Sequence, residues 1–481
     1  MKRVIHLALL GLIFLLGPSS PALAHSTERA FILILPTQHY IVGGALVVAL
    51  SFFVVGLIPA LGFDALERVR WRIFRVPAWV GTVPSIIAAA FVLALIVAGY
   101  IGDRNPLYNP LPQVLWGLWW VGFVFVHVLF GNLWSVLNPW KGLYFLLTSL
   151  PGLRGWRSSP PLKYPASAGY WPSIVLFVAF AWYELIHPAP MDPAELASAS
   201  IVYLGVTLMG MLLFGSDAWL SRGDAFSIFF RIVSWLAPFS HGRPGTAKGD
   251  DKDSSLWLVL PGIKLLGVGT LPVTGAGFVL LALATVSFDG LSRTFWWLGL
   301  IGENPLEHPG RTALMGINTV GLAATYATIW MVFGGAIVLG CILVKRPDRI
   351  RHDVMRVVVS IVPIAFAYHM AHYLPSFLIQ SQDAVRALSD PYDLGWDVLG
   401  TRDLHVGTSL LNNYHSVRAI WLVQVVAIVV GHVVAVAVAH VLALRDAANR
   451  QEAFLYQIPM ILMMIGYTLF GLWLLSTPSA G

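Results

Sequence analysis

The sequence predicts an all-α, polytopic transmembrane helix bundle of about ten spans behind an N-terminal signal peptide. Three observations carry this reading. Hydrophobic residues fill 57% of the 481 positions and charged residues 11%, whereas a soluble domain needs about a quarter of its residues charged to cover its surface. Mean hydropathy is +0.74, so most of the outer surface must face lipid. Basic loops alternate with acidic or neutral ones between the apolar stretches, as the positive-inside rule requires.

At the N-terminus, Lys2 and Arg3 precede an apolar run from Val4 to Leu16, then Gly17-Pro18-Ser19-Ser20 and Ala22-Leu23-Ala24. These are the n-region, h-region and A-x-A site of a secretory signal peptide. Residues 1–24 are therefore expected to be removed, with His25 as the new N-terminus and residues 25–481 as one multi-span membrane domain. Apolar stretches follow at 38–61, 79–101, 112–131, 171–187, 196–215, 256–288, 312–344, 354–380, 417–444 and 453–476. Each holds roughly 17–33 residues, enough to span a hydrocarbon core of about 30 Å. Pro261, Gly262, Gly267, Gly269 and Pro272 predict a broken or re-entrant entry to the sixth.

Loop charge orients the chain. Residues 62–78 carry Arg68, Arg70, Arg72 and Arg75; residues 132–170 carry Lys141, Arg154, Arg157 and Lys163; residues 345–353 carry Lys345, Arg346, Arg349 and Arg351. These loops are expected on the cytoplasmic side. The intervening loops 188–195 and 381–416 are acidic or neutral, with Asp192, Glu195, Asp383, Asp390, Asp393, Asp397 and Asp403. Ten spans with both mature ends outside satisfy every basic loop. The expected residence is a bacterial inner membrane with a periplasmic mature N-terminus.

The same composition narrows function. Net charge is +6, but it sits in loops, and no basic stripe with interleaved aromatics points to nucleic acid. Cys341 is the single cysteine, so there is no intrachain disulfide and no thiolate metal site. Nineteen tryptophans suit interfacial anchoring or the lining of an apolar ligand cavity. One internal echo is visible. Phe130-Gly131 leads to Asn138-Pro139-Trp140-Lys141 and a run ending at Leu150-Pro151; Phe214-Gly215 leads to Arg222-Gly223-Asp224 and a run ending at Ala237-Pro238. Each reads as a spanning helix followed by a short interfacial helix, near 141–150 and 225–238.

An ionisable side chain within lipid costs several kcal/mol, so each one asks for a partner or a task. Those in the expected spans are His127, Glu184, His187, Asp289, His369, His372, His432 and His440. His369 and His372 are three apart and share a helix face. Helix rise puts them roughly 12–16 Å below the outer end, with His432 about 22 Å deep on the next span. Glu184 and His187 have the Glu-x-x-His spacing that bundles use to offer a carboxylate and an imidazole to one metal. Asp289 closes its span at the same outer level. A mixed His/carboxylate set suits Zn²⁺, Mn²⁺ or Fe²⁺. The expected metal ligands are His369, His372 and His432, with Glu184 and Asp289 as further ligands or as the base that orients water. The bland alternatives stand beside this: structural hydrogen bonds for the buried histidines, a helix-end role for Glu184 and Asp289, and an interfacial role for His187 and His440.

Several segments together resemble a known family. They are Leu129-Phe130-Gly131-Asn132 through Asn138-Pro139-Trp140, Ala181-Trp182-Tyr183-Glu184-Leu185, Arg222-Gly223-Asp224-Ala225-Phe226-Ser227 and Ser287-Phe288-Asp289-Gly290-Leu291-Ser292. Ala371-His372-Tyr373, Gly431-His432-Val433 and Ala439-His440 complete the set. In order and spacing these resemble the polytopic bacterial membrane proteins known as fenitrothion hydrolases, which are membrane-bound hydrolases of organophosphorus triesters. The resemblance implies a small lipophilic phosphotriester substrate and a second membrane subunit, and it brings no catalytic residues with it. A metal would lower the pKa of bound water towards 7, and the hydroxide would attack phosphorus and expel a phenolate. Two other readings remain open at this point. Histidines at similar depth suit a haem-binding electron carrier, and intramembrane ionisable residues with a broken helix suit a transporter.

Overall fold

The computed structural model describes residues 37–56, 66, 68–241, 255–304 and 310–477; the expected signal peptide of residues 1–24, and His25, lie outside them. The chain is an all-α helical bundle in which, among the described residues, nine helices are long and apolar enough to cross a membrane. We label the helices used below α1 (Thr37–Gly56), α2 (Val83–Ile101), α3 (Pro110–Phe130), α4 (Pro139–Leu147), α5 (Trp171–Leu185), α6 (Pro193–Phe214), α7 (Ala225–Val233), α8 (Val273–Ser292), α9 (Arg311–Leu343), α10 (Val362–Ser389), α11 (Tyr414–Asp446) and α12 (Arg450–Ser476). Every expected span has a helical counterpart. The fourth, α5, has only 15 residues, or about 22 Å of helix.

Burial grades the helices from core to periphery. The apolar windows of α8 and of the segment ending in α10 are 78% buried and those of α11 and α3 61% and 50%, against 22–33% for α1, α2, α6, α9 and α12. A helix apolar on all sides belongs either in a core or against lipid; here α8 and α10 form the core, and the peripheral helices present residues such as Ile87, Val202 and Met331 outward.

Two expectations are corrected. Residues 256–288 are not one interrupted helix: Ser255–Val259 is a strand, Ile263–Gly267 a 3-10 turn, and the helix begins only at Val273. With Arg70–Arg75 (β1), Phe239–His241 (β2) and Ser255–Val259 (β3), the chain builds a three-stranded antiparallel sheet in the order β1-β3-β2. The entry to this span is broken, as the prolines and glycines imply, by a strand and a turn. The second correction concerns 225–238. Phe226, Phe229 and Phe230 recur at helical spacing and are all buried, so α7 inserts into the bundle rather than lying on its surface. Against it pack Trp119 of α3 and Phe177 and Phe180 of α5. By contrast α4, the other expected interfacial helix, exposes Phe145 and Leu146.

The internal echo has structural form. α2 and α5 both open on Pro-Ser, at Pro84-Ser85 and Pro172-Ser173, and both serines are fully buried. α3 and α6 both end on Phe-Gly, and Gly131 and Gly215 adopt φ of +90° and +82°, a region that only glycine enters freely. The short helices α4 and α7 are then both capped by a side-chain oxygen, from Asn138 and Asp224. The two caps are neighbours, since Asn138 Nδ2 donates to Ser227 Oγ at 3.1 Å.

Candidate acid-base site in the bundle core

The site is built where α3 meets α10. Residues Gln113–Gly122 of α3 are wound as a π-helix, a form that is rare and concentrates at functional sites. Gly117 lets this wide turn approach closely: a Cβ there would stand 2.8 Å from Cβ of Gln380 on α10. The approach brings the Trp120 indole against the His369 ring, edge to face, with centroids 5.0 Å apart.

His369 is buried, and its Nε2 has no hydrogen-bond partner. One turn further along α10, the Tyr373 hydroxyl donates to Glu184 Oε1 at 2.9 Å. The end of α5 that carries Glu184 is held by Arg311 of α9, which donates to the carbonyls of Glu184 and His187 at 2.9 and 3.2 Å. His369, Glu184 and Tyr373 share an apolar cavity with Trp120, Phe177 and Phe229. Its open volume is about 30 Å³, room for one or two waters.

A second polar tier lies beside the first. His372 Nε2 sits 2.8 Å from Asp289 Oδ2, and Arg293 Nη2 sits 2.8 Å from Asp289 Oδ1. Asp289 is 2% exposed, and Arg293 reaches outward from the helix end. The Asp289 carboxylate raises the already high pKa of the Arg293 guanidinium. Tyr373 joins the tiers, because its ring packs edge to face on that of His372, with centroids 4.7 Å apart. Buried charges of this kind are tolerated only when paired and hydrogen-bonded, and each one here is.

The other candidates are placed elsewhere. His432 of α11 sits between the Tyr368 and Tyr467 rings, with Nδ1 2.8 Å from the Ile428 carbonyl and Nε2 unpartnered. It shares no hydrogen bond or ring contact with His369 or His372. His440 pairs with Gln457 at 3.1 Å. His127 is satisfied at both nitrogens, by the Phe123 carbonyl and by the Trp134 N–H, and ties α3 to the turn behind it. His187 stacks on Tyr183 and lies 3.6 Å from Glu195. Each of these three has a structural role.

The donors expected for Zn²⁺, Mn²⁺ or Fe²⁺ do not fit a shared ion as arranged. Among the described residues, the group that brings three candidate ligand atoms within 4.8 Å of one another is His352, Asp353 and Asp446, and none of the five expected residues belongs to it. Both Asp289 oxygens are already engaged, and His432 faces another part of the core. The His352 group is itself neutralised, by Arg349 at 3.6 Å from Asp353 and Arg356 at 2.6 Å from Asp446.

Three site residues escaped the sequence reading. Arg293 stands four after Asp289, a spacing that puts both on one helix face and could have been read. Tyr373 stood unremarked within a quoted segment. Trp120 gave no signal, because only the fold distinguishes it from its neighbours Trp116 and Trp119. No protein-family model, curated protein or solved structure matches the chain.

Proposed function

We propose that the chain is a membrane-embedded hydrolase of neutral, lipophilic organophosphorus triesters in which His369 activates water. The observation that supports this most is the unpartnered Nε2 of His369 in an apolar cavity beside the Glu184–Tyr373 pair. A buried nitrogen left without a partner costs about 1–3 kcal/mol, and a water in the cavity would relieve that cost. In the tautomer that carries its proton on Nδ1, His369 presents the Nε2 lone pair to the cavity. In the reaction the water O–H breaks, its proton passes to Nε2 and its oxygen bonds to phosphorus. The P–O(aryl) bond breaks and the phenolate leaves. Glu184, oriented by the Tyr373 hydroxyl, lines the same cavity and would hydrogen-bond the water. Asp289, His372 and Arg293 are positioning residues that hold Tyr373 from behind, in place of the base and ligand roles expected from sequence.

The Phe and Trp walls suit a substrate that partitions into lipid. A triester is far larger than the open volume, so it enters only when the wall helices part. The positive-inside rule puts the site in the periplasmic half of an inner membrane. No step passes through a metal, and the second subunit that the resemblance implies contributes no residue to the proposed site.

The test is phenolate release by purified protein. His369→Ala should lower kcat about 10²–10⁴-fold while the protein stays folded in detergent, and activity should survive chelation. Wild-type rates in His369→Ala would remove the proposed base. Loss of activity on chelation, with recovery on adding Zn²⁺ or Mn²⁺, would return the metal reading.

A further inference from the structure

Strand β1 of the small sheet separates its aromatic from its basic residues by means of a bulge. Strict alternation along Arg70-Trp71-Arg72-Ile73-Phe74-Arg75 would put Phe74 on the face of Arg70 and Arg72. The register instead pairs Trp71 with Leu258, Arg72 with Trp257, Phe74 with Leu256 and Arg75 with Ser255, with the irregularity between Arg72 and Phe74. Residues directly opposite each other share a face. One face therefore carries Trp71, Phe74, Leu256, Leu258 and, from β2, Phe239. The other carries Arg70, Arg72 and Arg75 of β1, with Trp257 opposite Arg72. One extra residue has sorted the two chemistries along β1.

The apolar face is exposed along β1, whereas Leu256, Leu258 and Phe239 are half-buried. Trp71 and Phe74 are 58% and 54% exposed, and β1 is an edge strand. Trp79, also exposed, stands between β1 and the start of α2 at Val83, so the sheet lies at the membrane end of a span. On the other face Ser255 and Val259 are buried against the protein, whereas Arg75 is exposed, as is Arg68 in the turn before the strand. Arg70 and Arg72 already have partners within the protein. Tryptophan beside arginine at a span end is the composition of the bilayer interface, and basic residues there complement anionic headgroups.

We infer that this sheet is a seat for anionic phospholipid in the cytoplasmic leaflet, with β1 lying along the bilayer boundary. Trp71 and Phe74 enter the region where headgroups give way to acyl chains, and Arg68 and Arg75 meet lipid phosphates. The surface is distinct from the acid-base site and does not depend on the proposed hydrolysis.

Full-length protein in nanodiscs tests this in two ways. The single native cysteine, Cys341, is buried, so a nitroxide can be attached selectively at Phe74→Cys or Arg75→Cys. The label at 74 should collide with oxygen more than with a water-soluble nickel chelate, and the label at 75 should do the reverse. Chelate access at 74 would show a face open to water, and exclusion of both reagents there would show a protein partner; either result overturns the inference. In parallel, the preference for phosphatidylglycerol over phosphatidylcholine is read by native mass spectrometry. Arg68→Gln and Arg75→Gln should each lower that preference about fivefold at low salt. An unchanged preference in both variants would also overturn it.

Discussion

Gly471 of α12 makes room for Tyr368 of α10, and adding one methyl group there should separate the two helices. A Cβ at position 471 would overlap the Tyr368 hydroxyl oxygen and Cζ outright and stand 2.8 Å from Cε1. The ring must retreat, and the hydroxyl then loses the Tyr467 carbonyl to which it donates at 2.6 Å. Overpacking costs about 1–3 kcal/mol and the orphaned buried group about 1–3 kcal/mol more. Replacing glycine by alanine within a helix returns about 1 kcal/mol. Gly471→Ala should therefore destabilise by a net 1–5 kcal/mol, a rough figure taken from those three contributions. The assay is unfolding by rising SDS mole fraction in mixed micelles, followed by tryptophan fluorescence. The control is the same substitution in a Tyr368→Ala background, where the methyl meets space and should be neutral or stabilising. Equal losses in the two backgrounds would refute the steric argument, because the coupling between the residues would then be zero.

Two further outcomes follow from particular contacts. Tyr373→Phe keeps the ring between His369 and His372, at 4.8 and 4.7 Å, but removes the donor to Glu184; kcat should fall about 10–100-fold with little change in KM, the worth of one hydrogen bond to a charged group, and steady-state phenolate release checks it. Lys264 lies outside the spans, and burial pushes its ammonium down to about 8 although its Nζ donates to the Phe239 carbonyl at 2.7 Å. The unfolded lysine keeps its proton up to its ordinary value of 10.5. Between those pH values the unfolded chain binds more protons, so stability rises with pH, by at most about 1.4 kcal/mol per unit. Lys264→Met should flatten that rise, and melting curves at pH 8, 9 and 10 would show a difference between variant and wild type.

Most of the helical plan was legible in hydropathy, since ten apolar stretches became ten helices. What hydropathy could not read was environment. Phe226, Phe229 and Phe230 look alike whether a short helix lies at the interface or inside the bundle, and only α3 and α5 closing over α7 decide it. The sheet was illegible for a different reason: Arg70–Arg75 pairs with a strand some 185 positions away, and no local pattern announces such a partner. At the site, Glu184, His369, His372 and Asp289 did gather in one region, but not around one point. Two residues three apart on a helix differ by about 60° in direction, and that angle aims His369 at Trp120 and His372 at Asp289. His432 was placed by depth alone, and depth does not fix azimuth.

The Pro-Ser, Phe-Gly and capped-helix plan occurs twice, and the two uses have unequal fates. In the first, the terminal short helix braces its own hairpin: Ser85 Oγ donates to the Asn138 carbonyl, and Gly142 lies directly on the Ser85 backbone. In the second, the equivalent helix has moved inward, and its Phe229 forms part of the chamber wall beside His369. Under the proposed function, reshaping α7 at Phe229 would alter the cavity while leaving the Ser85–Asn138 brace of the first unit untouched.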